Sequence, residues 1–480
     1  MSNDDPVLVV DLDGTLCRTD TLHEALLQMV LVAPRAFPDL MRKALSGDKP
    51  GFKAAVADRV MPDPETLIYD PRVLAHIEEA KTAGRKVALV SASDRRVVDR
   101  VAMHLGLFDE VLGTGDEAGQ NLGGQAKADV LVARYGKSGF DYIGDCSTDL
   151  PIWKKARRAF TTDASGGLAR KAAIHSITLE QLEPQSAPLA RAKPYLKALR
   201  PHQWLKNILV FLPMLAAQQY DVFGQAFFGF VLFCLMASSV YVLNDLLDLP
   251  TDRAHPRKCR RAFAAGQIPI VHGVVMALGL IGSSLLLALL ALPGAFLQAL
   301  FGYFVVTLAY SFTLKRKLII DVITLAGLYT MRIIAGGAAV GLVVSPWLLA
   351  FSMFLFYALA AIKRQGELLD MAKSGRDTSS GRAYQANDVI VMQIMAISSG
   401  QAAVLVFALY LYSPAVNGLY ARPELLWLIC PVLLYWLSRI AILTQRGHMD
   451  DDPIIFAARD QVSLWAAGAI AVILLAAEFL

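Results

Sequence analysis

The sequence contains few cysteines, and their arrangement argues against a disulfide framework. Five cysteines occur in 480 residues, an odd number without a CxxC pair: Cys17, Cys146, Cys234, Cys259 and Cys430. A scattered set of thiols is typical of a reduced setting in the cytosol and its membrane rather than of a secreted protein.

A large excess of one charge sign is also missing, as is a secretory leader. The formal net charge is +4, which does not indicate a nucleic-acid partner. The chain begins MSNDDPVLVV, which is acidic and lacks the basic segment and the following apolar run of a signal peptide. We therefore expect the first domain to stay in the cytoplasm.

Long hydrophobic runs are abundant, but only in the C-terminal part, where they reach the ~20 residues that cross a bilayer. The composition predicts a soluble domain over 1–180, a linker with an interfacial helix over 181–206, and a transmembrane domain over 207–480. Nine spans are expected, at about 207–220, 225–245, 269–291, 295–312, 318–340, 345–362, 391–412, 424–444 and 463–480.

Basic residues collect in alternate loops between these spans. The loop after the second span holds Arg253, Arg257, Lys258, Arg260 and Arg261, whereas the opposite loops hold almost nothing basic beyond Arg422. The positive-inside rule then predicts a multi-pass protein of the inner membrane, with its N-terminal domain in the cytoplasm and its C-terminus outside.

The soluble part alternates short apolar runs with helical patterns. Strands are expected at Val7–Val10, 86–90, 110–112 and 141–143, and the first ends in two aspartates, Asp11 and Asp13. This alternation predicts a doubly wound α/β sheet of Rossmann type, with its chemistry at the carboxyl ends of the strands. A helix-rich insert, about 18–81, is expected to cap the site.

Four motifs occur in order along this domain: DLDGT at Asp11–Thr15, then Ser91, Lys127, and GDCSTD at Gly144–Asp149. Together they resemble the haloacid dehalogenase (HAD) phosphatase superfamily. The resemblance implies that Asp11 is the nucleophile and Asp13 the general acid and base, while Ser91 and Lys127 hold the transferring phosphoryl group. It also implies a Mg²⁺ site formed by Asp11, Asp13, Asp145 and Asp149, with Asp149 supporting the others.

The stretch from Tyr241 to Arg261 lies at the end of an apolar run and contains first acidic and then basic residues. On a continuous helix, Asp245, Asp248 and Asp252 share one face, unless Pro250 breaks the last turn and leaves Asp252 on a loop. Carboxylates at the end of a membrane helix are costly and therefore indicate function. We expect the acids to hold Mg²⁺, the metal to hold a diphosphate, and the basic loop to grip the remaining oxygens.

Further polar side chains lie in the loops on the same side of the membrane. An arginine inside an apolar helix, Arg332, requires an anion or an acidic partner. The candidates for binding the substrates are Lys206, Asn244, Arg257, Lys258, Arg261, Tyr310, Lys315, Lys317, Arg332, Lys363 and Arg364. Their division between the substrate phosphates stays open.

Motifs spread over the membrane part resemble the UbiA superfamily of nine-helix intramembrane transferases. LRPHQWLKN (199–207), YVLNDLLDLPTDRAHPRK (241–258), MRIIAGG (331–337), SPW (345–347) and KRQGEL (363–368) look like its polyprenyl-phosphate phosphoribosyltransferase branch. The resemblance implies phosphoribosyl pyrophosphate as donor, a polyprenyl phosphate lipid as acceptor, and Mg²⁺ on Asp245, Asp248 and Asp252. The number of metal ions stays open, as does self-association of the chain.

The fusion suggests that the HAD domain removes the ribose 5-phosphate left on the lipid by the transferase. Two alternatives stay open. One is a UbiA-type aromatic or haem prenyltransferase that uses a prenyl diphosphate on the same Mg²⁺ site. The other is a membrane transporter or scaffold that anchors a cytosolic phosphatase, for which Asp245 would be dispensable.

Overall fold

A computed structural model describes residues 6–115, 121–162, 166–182, 188–373, 383–413, 416, 418–449 and 452–479. The chain forms two compact units, Met1–Leu199 with Val242–Met276, and Arg200–Tyr241 with Ala277–Leu480. The segment Val242–Met276, predicted as part of the transmembrane domain, therefore packs with the N-terminal domain.

The first unit is built on a six-stranded parallel sheet in the order β3-β2-β1-β4-β5-β6. Its strands are β1 (Val7–Val10), β2 (Val87–Asp94), β3 (Glu110–Thr114), β4 (Phe140–Gly144), β5 (Ala159–Thr161) and β6 (Leu179–Gln181). The central strand β1 lies between β2 and β4, with Val9 opposite both Ala88 and Tyr142. The strand order reverses beside β1, which is where open sheets of this class bind their ligands. The predicted doubly wound α/β domain is confirmed.

Helices cover both faces of the sheet, and some form a separate cap. In the first unit they are Thr21–Val32, Phe37–Leu45, Lys49–Ala57, Pro71–Thr82, Arg95–Leu105, Gln125–Tyr135, Leu150–Trp153, Gly166–Ile174, Pro188–Ala198 and Leu249–Arg253. The first three share a small core around Met29 and Val56. Pro71–Thr82, expected within the cap, instead packs Val73 and Ile77 against the sheet. The cap is therefore shorter than predicted.

The structure also differs from the prediction at the start of the linker. Gln181, the first residue of the predicted linker, belongs to β6, which pairs with β5. The helix Pro188–Ala198 follows, with Pro194 inside it. Tyr195 lies on this helix and its hydroxyl is 2.8 Å from Nδ1 of His272. The N-terminal unit thus continues beyond the predicted boundary at residue 180.

Eight helices among the described residues are long and apolar enough to cross a membrane: Tyr220–Leu247, Ile270–Ala291, Gly294–Phe312, Ile320–Val340, Pro346–Lys373, Ala386–Leu411, Pro423–Gln445 and Gln461–Phe479. The first predicted span, 207–220, is instead a 3₁₀-helix, Pro201–Phe211, followed by the short helix Leu212–Ala216. Prolines at the start of both pieces favour this break into short segments. The all-α transmembrane architecture is otherwise as predicted.

Candidate active sites

The carboxylate that follows β1 lies beside a buried lysine. Lys127, on the helix Gln125–Tyr135, donates from Nζ to Oδ1 of Asp11 over 2.8 Å. The same nitrogen donates to the Val90 carbonyl and the Tyr142 hydroxyl, both at 3.1 Å. Burial raises the pKa of Asp11 to about 6, although Lys127 opposes the shift. The ammonium therefore keeps a carboxylate charged at a site where burial alone would neutralise it.

The second aspartate of the motif is held by hydroxyl groups and the cap. Ser91 and Ser93 donate to Oδ2 of Asp13 over 3.2 and 2.6 Å, and the Thr21 amide donates to Oδ1 over 2.7 Å. Asp11 and Asp13 thus have different surroundings, one cationic and one neutral. Two carboxylates in unlike environments suit separate roles as nucleophile and proton carrier.

Asp145 lies at the end of β4, against the backbone of Gly14. A Cβ atom at Gly14 would fall 2.2 Å from Oδ2 of Asp145, and the φ of Gly14 is +74°. Glycine is therefore required at this position of the DLDGT motif, both for the turn and for the close approach. Burial, followed by the charges of Asp11 and Asp149, raises the pKa of Asp145 to about 8.

Asp149 is buried and its two oxygens are already engaged. Oδ1 accepts from the Tyr142 hydroxyl over 2.9 Å, and Oδ2 accepts from the amides of Asp145 and Cys146, each over 3.2 Å. It therefore fixes the loop that presents Asp145, and it also offers one ligand atom within 4.8 Å of those of Asp145 and Cys146. Clustered carboxylates with a raised pKa fit a divalent cation, which Asp11 and Asp145 would hold.

Mg²⁺ binding to this site should strengthen as the pH rises. Because the pKa of Asp145 is raised to about 8, the metal must displace a proton at lower pH but not above that value. Apparent affinity should rise by up to about tenfold per pH unit between about pH 6 and pH 8. Titrating Mg²⁺ against hydrolysis of a soluble phosphate monoester by the full chain measures this, with D145N expected to lose the dependence. A flat wild-type profile would contradict it.

The cap contributes a lysine that sequence reasoning missed. Lys53 donates from Nζ to Oδ1 of Asn121 over 2.6 Å and also contacts the Ala92 carbonyl, between Ser91 and Ser93. Burial lowers the pKa of Lys53, although Asp13 opposes the shift. No motif spacing links this cap residue to the sheet, so only the fold reveals it as a cation close to Ser91 and Ser93.

The acidic stretch, Asp245 to Asp252, lies at the end of a helix, and one arginine contacts two of its carboxylates. The helix Phe223–Leu247 ends before Asp248, and Leu249–Arg253 begins another turn with Pro250 in its first positions. Asp252 is thus helical and not on a loop. Nη1 of Arg261 lies 3.2 Å from Oδ1 of Asp245 and 2.6 Å from Oδ2 of Asp252. One nitrogen thus contacts both carboxylates. Among the described residues, the group of three side chains close enough to hold one metal ion is Asp145, Cys146 and Asp149, and the three aspartates of the acidic stretch do not form such a group.

A neighbouring arginine, expected only as part of the basic loop, is buried within the first unit. Nη1 and Nη2 of Arg253 donate to the two carboxylate oxygens of Glu24, on the cap, over 2.9 and 2.7 Å. Nη1 also donates to the Thr66 carbonyl over 3.1 Å. The side chains are 3% and 2% exposed, so this is a desolvated bidentate ion pair. It anchors the acidic stretch to the cap.

Replacing Glu24 with Gln should destabilise the first unit strongly. Removing one member of a buried ion pair leaves the other charge desolvated, which costs about 3–5 kcal/mol. Glu79, whose side chain is 78% exposed beside His76, provides the matched control, and E79Q should cost under about 1 kcal/mol. The unfolding midpoint of the full chain measures the difference. Equal shifts for E24Q and E79Q would contradict the prediction.

Within the second unit, Arg332 has no carboxylate partner among the described residues. Its Nε donates to Oδ1 of Asn207 over 2.9 Å, and Nη2 donates to the Tyr303 hydroxyl over 3.1 Å. A Cβ at Gly336 would fall 2.0 Å from the Val210 carbonyl, so glycine allows the segment carrying Asn207 to approach this helix. Nη1 donates to the Leu328 carbonyl over 2.6 Å, and the guanidinium lies over three aromatic rings. All three nitrogens thus have neutral acceptors, and an arginine of this kind inside an apolar helix indicates a functional site.

Two lysines of the same unit share one carboxylate. Lys206 makes a hydrogen bond to Oδ2 of Asp452, and the ammonium of Lys363 lies 3.5 Å from the same oxygen. Burial would raise the pKa of Asp452, but the two lysines outweigh it and lower the pKa. Sequence reasoning missed Asp452, which is 246 residues from Lys206. The cluster keeps a net positive charge.

Arg364 and Tyr310, expected to contact substrate, instead surround an aspartate. Arg364 donates to Asp321 over 2.6 and 3.1 Å, and the Tyr310 hydroxyl donates to the same carboxylate over 2.7 Å. Arg364 is 1% exposed and also contacts Glu367. The structure therefore places Arg364 and Tyr310 in an internal acidic cluster, which joins three membrane helices.

The remaining predicted residues lie on the ends and loops of these helices. Asn244 and Asp248 are half-buried, as is Lys315 on a 3₁₀ turn. Exposed side chains belong to Arg257, Lys258 and Lys317. Solvated cations of this kind are accessible to a soluble anion, and they also satisfy the positive-inside rule.

Two family models match the chain in separate regions. The haloacid dehalogenase-like hydrolase model matches residues 8–154, and the UbiA prenyltransferase family model matches residues 207–466. The second match covers more than half of the chain. The chain therefore belongs to the UbiA prenyltransferase family and carries a HAD-like domain, and with its apolar helices it is a multi-pass membrane protein.

Relatives extend the match to nearly the whole chain. The protein y4nM of Sinorhizobium fredii is 36% identical over 468 residues, which cover 96% of this chain and 89% of that protein. A decaprenyl-phosphate phosphoribosyltransferase of Corynebacterium glutamicum is 36% identical over 207 residues, or 42% of this chain and 62% of that protein. A solved UbiA homolog from Archaeoglobus fulgidus, bound to GPP and Mg²⁺, is 19% identical, with a TM-score of 0.45 over 58% of this chain and 99% of its own. The y4nM match spans both domains.

Proposed function

We propose that this protein transfers 5-phosphoribose from phosphoribosyl pyrophosphate to a polyprenyl phosphate, and that its HAD domain then removes the 5-phosphate. The observation that carries the transferase proposal is Arg332, which is buried in a membrane helix and has no carboxylate partner among the described residues. A site for an anionic lipid headgroup or a sugar phosphate explains such a charge. Similarity to the Corynebacterium glutamicum phosphoribosyltransferase supports the same substrates.

In the transferase, Asp245, Asp248 and Asp252 would hold Mg²⁺, which would neutralise the departing pyrophosphate. Lys206, Lys363 and the exposed basic loop residues would bind the remaining phosphate oxygens. The acceptor oxygen would attack ribose C1 as the C1–pyrophosphate bond breaks, and positioning would supply most of the acceleration. Asp452 would keep the two lysines oriented between turnovers.

In the HAD domain, an oxygen of Asp11 would attack the phosphorus while the P–O bond to ribose breaks. Asp13 would give its proton to the departing ribose oxygen, and would later take a proton from the water that releases phosphate from Asp11. Lys127 and Ser91 would hold the equatorial oxygens. Mg²⁺ on Asp11 and Asp145 would supply further positive charge to the phosphoryl group.

The topology supports the coupling. With the N-terminal domain and the basic loops on the cytoplasmic face of the inner membrane, the phosphorylated lipid would form on the side where the phosphatase is tethered. Tethering raises the effective concentration of the second enzyme near the first product. Proximity therefore favours dephosphorylation of the product over its diffusion away.

Product analysis tests the proposal and separates it from the prenyltransferase alternative. Purified protein with Mg²⁺ should convert labelled phosphoribosyl pyrophosphate and polyprenyl phosphate into a ribosylated lipid, resolved by thin-layer chromatography and mass spectrometry. A prenyl diphosphate with an aromatic acceptor should give no product. If the protein consumes the prenyl diphosphate but not phosphoribosyl pyrophosphate, the proposal is overturned. If D245N keeps full activity, a transporter or scaffold is favoured.

A further inference from the structure

One surface of the cap carries exposed apolar residues that are not part of the core of the cap. We define the cap-tip face by the exposed apolar residues at the end of one helix and along the next: Val30, Leu31, Val32, Phe37, Met41 and Leu45. Val32 and Leu45 are 73% and 83% exposed. Contiguous exposed apolar residues on a soluble domain mark an interaction site.

The geometry of helix Phe37–Leu45 separates this face from the cap core. Leu40 is buried and packs with Met29 and Val56. Phe37, Met41 and Leu45 recur every fourth residue, so they line a neighbouring stripe that points away from that core. The helix thus has one apolar side for folding and a second that nothing in the cap covers.

Basic residues outnumber acids around the exposed stripe. Arg35 precedes the helix, Arg42 lies next to the stripe, and Lys43 lies toward the opposite side of the helix; all three are exposed. The one acid, Asp39, is 3.6 Å from Arg42, so residues 35–45 keep a net charge of +2. An exposed apolar stripe on a helix of net positive charge is the pattern of helices that lie in the headgroup region of a bilayer. Anionic lipids attract such cations, and a multi-pass protein always has a bilayer within reach.

We propose that the cap-tip face docks on an anionic lipid surface, with Phe37, Met41 and Leu45 inserted among the headgroups, Arg35 and Arg42 near their phosphates, and Lys43 adding to the net positive charge. The cap that covers Asp11 and Asp13 would then work at the membrane surface, where a lipid-borne phosphate is presented. The proposal concerns binding and does not depend on which phosphate is hydrolysed.

Hydrogen exchange of the full-length protein in nanodiscs tests this without using activity. In discs containing phosphatidylglycerol, amides of residues 30–45 should exchange about tenfold or more slowly than in discs of phosphatidylcholine alone. The triple variant F37S/M41S/L45S should lose this protection. M103S, which alters another exposed apolar residue of the same unit, should keep it.

A second variant keeps the test independent of folding. R42Q/K43Q leaves the apolar stripe intact and should lose only the difference between the two lipid compositions. Equal exchange of residues 30–45 in anionic discs, neutral discs and detergent would overturn the proposal, because lipid would then give the face no protection.

Discussion

Replacing Asp11 with Asn should abolish dephosphorylation and leave a ribosylated lipid that retains its 5-phosphate. The variant removes the attacking oxygen anion, and loss of a nucleophile costs about 10³-fold or more in rate. D11N also removes an ion pair of buried Lys127, so some loss of stability is expected. The fold should survive, because Lys127 stays near the carboxylates of Asp149 and Asp13 and keeps its bonds to the Val90 carbonyl and the Tyr142 hydroxyl. Mass spectrometry of lipid from the complete reaction measures the accumulating phosphorylated product.

The matched control is Asp99, a half-exposed carboxylate paired with Arg95 on a surface helix. D99N removes one negative charge from the same domain and should leave the product distribution unchanged. Transfer itself should proceed normally in D11N, since that step would use other residues. Dephosphorylated lipid at the wild-type rate in D11N would refute the assignment of the second step to the HAD domain.

The sequence predicted which strand ends bring acids to one edge of the sheet, because local signals coincide there. Asp11, Asp13 and Asp145 each follow a short apolar run, and parallel strands bring their carboxyl ends to one edge. The last two strands were missed because each has only three residues. The boundary of the cap was also wrong at Pro71–Thr82, since an amphipathic pattern indicates that a helix has a buried side but not what covers it.

Side-chain pairing between distant elements was the main feature that sequence could not supply. Arg332 and Arg364 both lie in apolar helices, and both were predicted to bind phosphate. Only Arg364 has an aspartate beside it, and that aspartate is 43 residues away in the chain. Likewise, Arg253 looked like one of several loop cations, although its partner Glu24 is 229 residues away. Such pairings depend on tertiary packing, which periodicity and spacing do not encode.

The contrast between these two arginines leads to a second prediction of large effect. R332Q should reduce phosphoribose transfer by about 10²-fold or more, because it removes a desolvated cation from the proposed anion site. Stability should hold or rise, since a buried charge without a counter-ion costs free energy. R364Q should instead destabilise the fold by about 3–5 kcal/mol, because Asp321 is 0% exposed and would lose its bidentate partner.

Measuring transfer and the unfolding midpoint for the same samples separates the two roles. R332K retains the charge without the planar fork of donors, so it should recover part of the transfer rate lost in R332Q. The proposed anion site predicts that R332Q folds with a wild-type midpoint and fails in transfer. If its activity falls only as far as its stability does, Arg332 is a packing residue, and the phosphate must be bound by Lys206, Lys363 and the loop cations.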